Sequence, residues 1–410
     1  MRRVLALAVP LGAAALLLAV AMIFTYRSST LLLRPPRITP PDADDPAPGI
    51  LPFAYNWPTG HPMKVLGPWP WQEEHVSLEP VRVGDEIATI DGIPLRWQTW
   101  RDTIRHVRSL GAGARVRLGV RRPAGHATSD LLQIDVELVR DVWLPSQIGL
   151  EYRDVSYTTV RGRRIRAWYL PGGTARGPIV IALHGMAASR QAMLIAFGRD
   201  LVARGYSLLL PDAPAHGVSP GRNADLEGSD ELRAAVAFAS RQPDVDPRRI
   251  VLLGHSYGAV KVFDGAVDMP EIAGVIAIAA PLSVEQGIRV VATRLMGLPD
   301  ILVTLLMPCL SLWIRLRTGH WLGEADTLRS ARRLNKPLLL VQGELDELWP
   351  PETASTLCKA APGPSDLVMV PGVDHNSVLV AGRAMMDPLL AFLQRTVGTT
   401  KTPVATDHQV

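Results

Sequence analysis

The chain has only two cysteines, Cys309 and Cys358, in 410 residues. They permit at most one disulfide and exclude both a cysteine framework and a thiolate metal cage. Concentrated charge is also lacking. The formal net charge is +4, and the arginines, which far outnumber the lysines, are spread along the chain, so nucleic-acid binding is not indicated. Long apolar runs are scarce; two stand out, Val4–Tyr26 and Leu298–Ile314. What the chain does have is length and apolar content. Its 410 residues, 47% of them hydrophobic, exceed one average domain and suffice for a sizeable core.

Met1-Arg2-Arg3 precedes the uncharged run Val4–Tyr26. At ~1.5 Å per residue in a helix, such a run crosses a bilayer core of ~30 Å. Ala19-Val20-Ala21 resembles a signal-peptide cleavage site. The run continues beyond it through Met22-Ile23-Phe24, which favours an uncleaved single-pass anchor over residues 1–27. The short N-terminal tail places the body outside the cytoplasm, although Arg27, Arg34 and Arg37 oppose Arg2 and Arg3 in the positive-inside count. Residues 28–62, rich in Pro, Asp and Gly, read as a linker.

A small α+β module is expected over residues 63–145. Val83–Gly92 reads as a strand closed by an Asp-Gly turn. Trp97, Trp100, Ile104 and Val107 recur at helical spacing. Val116, Leu118 and Val120 alternate with Arg115, Arg117 and Arg121, and Leu132, Ile134, Val136 and Leu138 repeat the alternation. The run Val-Gly-Asp-Glu-Ile-Ala-Thr-Ile-Asp-Gly resembles that of PDZ domains, and the resemblance covers about Val81–Val139. It implies a peptide ligand bound by strand addition. Leu66–Trp71 stands where the family has a Gly-rich carboxylate loop, so a purely structural or docking role stays open beside it.

From Glu151 strands and helices alternate, which argues a mostly parallel sheet with helices on both faces. Pro178–Leu183 is a continuous apolar run, as expected of a strand covered on both sides. Ile250–Leu253 leads into Gly254-His255-Ser256-Tyr257-Gly258, a G-x-S-x-G turn between a strand and a helix. Residues 281–335 break the alternation. Within them Leu298–Ile314 admits two readings, a second membrane span or a helical cap over the site; Asp300 and Pro308 interrupt it and favour the cap. A charge at Leu305 or Leu306 is then expected to weaken long acyl substrates. Residues 398–410 are polar and are expected to form a disordered tail.

This second region, residues 150–397, resembles the α/β-hydrolase fold, of the serine esterase, lipase and serine aminopeptidase kind. Nucleophile, acid and base occur in the order the family uses. The resemblance implies Ser256 as nucleophile, Asp346 of Gly343-Glu344-Leu345-Asp346-Glu347-Leu348-Trp349-Pro350 as acid, and His375 of Gly372-Val373-Asp374-His375-Asn376 as base. Glu344 and Glu347 are competing carboxylates. The backbone amides of Met186, in His184-Gly185-Met186, and Tyr257 are the implied oxyanion donors. His184, His255, His216, Asp212 and Asp374 take supporting roles. The implied chemistry is acyl-enzyme formation and hydrolysis of an ester, thioester or amide, in a small acyl ester, lipid or peptide substrate, with no metal and no organic cofactor. A catalytically silent anchored scaffold working through its PDZ-like module, and a peptidase, are the alternatives.

Overall fold

Eight strands of the second region form one sheet, and their apolar runs explain why it is buried on both sides. A computed structural model describes residues 21–35, 37, 39, 48–55, 62–72, 78–95, 97–122, 131–173, 175–223, 226 and 228–398. The strands are β1 (Arg153–Thr158), β2 (Arg164–Leu170), β3 (Gly177–Leu183), β4 (Ser207–Asp212), β5 (Val245–His255), β6 (Ile272–Ile278), β7 (Leu338–Gly343) and β8 (Ser365–Val370). They lie in the order β8-β7-β6-β5-β3-β4-β2-β1. Strand β2 is antiparallel to both β1 and β4, and the remaining pairs are parallel.

Side chains alternate between two cores even where the sequence shows no alternation. Val180 and Ala182 pack with Phe197 and Leu389, from helices Arg190–Ala203 and Arg383–Val397. Ile179 and Ile181 pack with Val236, Phe263 and Leu357, from helices Ser229–Ala239, Tyr257–Val267 and Pro351–Ala360. Both faces being covered, no position on the central strands needs a polar residue.

The segment between β6 and β7 is helical: Val284–Val290, a π turn at Val291–Leu295, Asp300–Thr318, Leu322–Glu324 and Thr327–Ala331. Among the described residues Asp300–Thr318 is the one helix long and apolar enough to cross a membrane. It does not stand clear of the domain. Val303, Met307, Leu310 and Ile314 are buried against Leu33, Tyr257 and Val260, so the helix lies along the protein. Cys309 on this helix and Cys358 are both free thiols, so the single disulfide that two cysteines allow is not formed.

Of the N-terminal apolar run, Val4–Val20 lies outside the described residues, and residues 21–33 are helical. The helix therefore continues through residues read from the sequence as the start of a linker. Packing explains the extension. Tyr26 meets Trp313 edge-on at 5.1 Å, and Leu33 is fully buried under the cap. Tertiary contacts of this kind override a weak local signal.

The small module is a sheet in the order Ala54–Tyr55, Met63–Gly67, Glu86–Ile90, Arg115–Arg121, Leu132–Glu137, with Ile93–Pro94 paired to Glu86–Ile90 and helix Trp97–Leu110 beside it. It reaches back further than residue 63. Gly49–Ile50 pairs with Val139–Arg140, and Leu51, Phe53 and Ala54 are fully buried. Trp69 Nε1 donates to the Leu51 carbonyl at 2.8 Å, which makes this tryptophan a core residue. Val107 is buried; the side chains of Trp97, Trp100 and Ile104 lie outside the described residues. Leu132, placed inward by the alternation, is exposed at the strand's first position. The module is seated on the larger domain, with Leu66 and Trp71 packed against the core of the sheet and Arg199 donating to the Trp71 carbonyl at 2.9 Å. The polar tail 399–410 lies outside the described residues.

Candidate active site

Strand β5 ends at His255, and helix Tyr257–Val267 begins two residues later, so Ser256 alone makes the turn. It adopts φ 53° and ψ −116°, a conformation costly for a residue with a side chain. The two glycines make it sterically feasible. A Cβ on Gly254 would lie 2.3 Å from the Gly258 carbonyl oxygen, and one on Gly258 would lie 2.4 Å from that of Leu183. The turn brings the Ser256 hydroxyl to the carboxyl ends of the strands, where open α/β sheets hold their sites.

The loops after β7 and β8 bring two further side chains to it. His375 Nε2 is 2.9 Å from Ser256 Oγ, and His375 Nδ1 is 2.9 Å from Asp346 Oδ2. Asp346 is held from every side. Gln342 Nε2 donates to Oδ2 at 2.7 Å, while the amides of Leu348 and Trp349 each donate to Oδ1 at 2.9 Å. Such donors fix the direction of the carboxylate. Glu344 and Glu347 are exposed; Glu344 accepts from the Gly372 amide at 3.2 Å. Of the three carboxylates, Asp346 is the one that meets His375.

The three other histidines beside the site are buried and hydrogen-bonded to backbone. His255 donates from Nε2 to the His375 carbonyl at 2.9 Å, which braces the loop carrying His375. Burial pushes its pKa down to about 3. His184 donates from Nδ1 to the Gly185 carbonyl at 2.8 Å and accepts the Ala213 amide on Nε2 at 3.1 Å. That fixes a neutral tautomer, and burial lowers its pKa. His216 donates to the Pro214 carbonyl, and burial, with His184 beside it, drives its pKa down to about 2. Asp212 accepts the amides of Arg190 and Val218 at 2.8 and 3.0 Å. Asp374 accepts from Asn376 and Ser377 and tightens the turn next to His375.

Met186 and Tyr257 lie on the two segments that meet at Ser256. Gly185 sets how close they come, since a Cβ there would be 3.3 Å from that of Ser256. Met186 and Tyr257 both join the apolar cluster beneath the cap, with Val303, Met307, Leu310 and Ile314. Leu305 does not: it is 67% exposed, and Leu306 is half-buried. The expectation that these two residues line an acyl pocket is therefore corrected, because the helix turns Val303 and Met307 inward instead.

Several neighbours carried no signal in the sequence. Asn223 Nδ2 donates to the Tyr257 hydroxyl at 3.1 Å, and its backbone amide donates to the Leu33 carbonyl at 2.9 Å. The N-terminal helix thus ends two hydrogen bonds from the residue after Ser256. Beneath them, Lys261 Nζ forms a buried ion pair with Glu231 at 2.7 Å and lies 5.0 Å from the Tyr257 ring centroid. These partners come from distant parts of the chain, and no local pattern marks them.

Comparison with known proteins agrees with this architecture. Residues 174–322 match the family model described as serine aminopeptidase, S33. Residues 320–403 match the model described as TAP-like protein. An uncharacterized protein of Mycobacterium tuberculosis is 32% identical over 248 residues, which are 60% of this chain and 80% of that protein. The chain belongs to the α/β-hydrolase superfamily. It is a hydrolase. An esterase of Pyrococcus furiosus superposes with a TM-score of 0.50 and 25% identity, over 63% of this chain and 95% of that structure. A quorum-quenching protein of Acinetobacter baumannii is 31% identical over 112 residues, 26% of this chain and 37% of that protein.

Proposed function

We propose that the chain is a membrane-anchored serine hydrolase that cleaves an acyl ester through Ser256, His375 and Asp346. The observation that carries this reading is the single imidazole of His375, within hydrogen-bond reach of Ser256 on one side and Asp346 on the other. A serine hydroxyl is a poor nucleophile until a base takes its proton. His375 Nε2 accepts that proton as Ser256 Oγ attacks the acyl carbon. Asp346, anchored by three further donors, keeps the Nδ1 proton in place and stabilises the imidazolium. The amides of Met186 and Tyr257 receive the charge that develops on the carbonyl oxygen. His375 returns its proton to the leaving alcohol, leaving an acyl-enzyme. Water then attacks the acyl carbon as His375 takes its proton, and His375 passes that proton to Ser256 Oγ as the acyl–oxygen bond breaks and the acid product leaves.

The apolar cluster between cap and sheet supports a substrate with an apolar acyl part. The run Val4–Tyr26 supports attachment to a membrane with the body outside the cytoplasm, and the module at residues 63–145, to which Gly49–Ile50 adds a strand pair, is read as PDZ-like. The description of the matched family as a serine aminopeptidase keeps an amide substrate as a second reading. Turnover of a panel of acyl p-nitrophenyl esters and aminoacyl amides by the native chain and Ser256→Ala tests both. Ester turnover should dominate, and the variant should lose ~10⁴–10⁶-fold. Faster amide turnover would favour the peptidase, and a fully active variant would exclude Ser256 as the nucleophile.

A further inference from the structure

We propose that the outer face of the cap helix Asp300–Thr318 is a lipid-docking surface that rests on an anionic bilayer beside the N-terminal helix. The side of this helix facing the domain is Val303, Met307, Leu310 and Ile314, all buried. The opposite side is also apolar: Ile301 is 69% exposed, Leu305 67%, Leu312 38% and Leu316 65%. Their spacing of four, seven and four residues places them in one stripe along a helix of ~3.6 residues per turn, on the order of 20 Å long. Exposed Met296 precedes the stripe and exposed Trp321 follows it. Contiguous apolar surface of this extent marks an interaction site. A helix with a packed inner face and an apolar outer face lies along an interface rather than across it.

Two observations select a bilayer as the occupant. The first is continuity with the N-terminal helix. Residues 21–33 are joined to the cap helix through Trp313 Nε1 donating to the Met22 carbonyl at 3.0 Å and Arg317 donating to Ser29 Oγ and Thr30 Oγ1 at 2.7 and 2.9 Å. Their outward side chains, Ile23, Phe24 and Leu31, are exposed, and the uncharged sequence Val4–Val20 leads straight into them. The second is charge. Arg27, Arg315 and Arg317 lie on these two helices and Arg294 on the π turn before the second, against Asp300, which is paired with Arg289 at 2.9 Å, and against Glu285 and Glu324 on the flanking short helices. An excess of cations beside an apolar stripe suits phosphate headgroups above acyl chains, and Trp321 suits the interfacial depth.

The inference rests on the proposed attachment of the chain to a membrane and adds a second contact to it. It is tested on the full chain in a Cys309→Ser, Cys358→Ser background. Single cysteines are placed at Leu305 and Leu316, and at exposed Arg248, near the amino end of β5 and so at the end of the sheet away from the site. Each carries a polarity-sensitive fluorophore and is mixed with phosphatidylcholine–phosphatidylglycerol vesicles holding acyl-chain nitroxide lipid. Flotation of the vesicles reports attachment independently of the labels. Labels at 305 and 316 should be quenched several-fold more by the nitroxide lipid than the label at 248, and be shielded from aqueous iodide. If the chain floats but the 305 and 316 labels remain open to iodide, the surface proposal is overturned and the anchor stands. Shielding from iodide without nitroxide quenching means that a second copy or residues 1–20 cover the stripe, which also overturns it. A chain that does not float, with every label in water, removes both.

Discussion

Asp346 accepts four hydrogen bonds, and only one of them comes from His375. Its direction is therefore set by the fold before a substrate arrives. Asp346→Asn should lower turnover ~10⁴-fold, as the corresponding change does in serine proteases, because the imidazole loses its tautomer. Glu344→Gln and Glu347→Gln should leave ester hydrolysis close to native, since both side chains are exposed; steady-state kinetics on the three variants decides. The buried histidines make a second forecast. His255 and His216 are held neutral by burial, with pKa values pushed down to about 3 and about 2. In the unfolded chain they titrate near ~6.5. Below that value the unfolded state binds more protons than the fold, so stability should fall as pH drops from about 6.5 toward 3. Thermal unfolding midpoints at pH 7 and pH 5 should show the loss, and His216→Gln should lose less over that interval than the native chain. Equal midpoints at the two pH values would contradict the neutral assignment.

Elements carry the strain that residues exploit. The turn from β5 into helix Tyr257–Val267 works only with glycine on both sides of Ser256, so Gly258→Ala, whose Cβ would meet the Leu183 carbonyl at 2.4 Å, should abolish soluble expression of folded enzyme. The turn was legible in the sequence because its requirement is local: five consecutive residues between an apolar run and a helix. The loops that bring Asp346 and His375 to Ser256 were legible for the same reason, each being a short segment just past a buried strand. The N-terminal helix was not. Residues 28–33 carry no signal for helix beyond Tyr26, and their reason to be helical, the cap, lies almost 300 residues further along. The same holds for Leu51 and Phe53, whose Pro-rich surroundings read as a linker although Val139–Arg140 supplies a strand for Gly49–Ile50. Asn223 belongs with them, since its bonds to Leu33 and Tyr257 join three remote segments. Removal of residues 1–20 should therefore preserve kcat/KM. Removal of residues 1–33 should lower it, by uncovering the apolar cluster and freeing Asn223. Equal activity of the two truncated chains would show that the helix does not support the site.

At the scale of the whole molecule, a mostly parallel sheet presents Ser256, Asp346 and His375 from the ends of β5, β7 and β8, and the helical segment between β6 and β7 packs on Met186 and Tyr257 beside Ser256. The small module is packed on the side of this body through Leu66 and Trp71. The helices at residues 21–33 and Asp300–Thr318 pack together on one side of the molecule, so a membrane contact made by the first would lie next to the site. Hydrolysis by this route requires that Ser256 become acylated. The most direct measurement is peptide mapping by mass spectrometry after reaction with a fluorophosphonate. The adduct should appear on the peptide containing Ser256, and the Ser256→Ala chain should take up none. An adduct on another residue, or a native chain that hydrolyses esters without ever being labelled at Ser256, would contradict it.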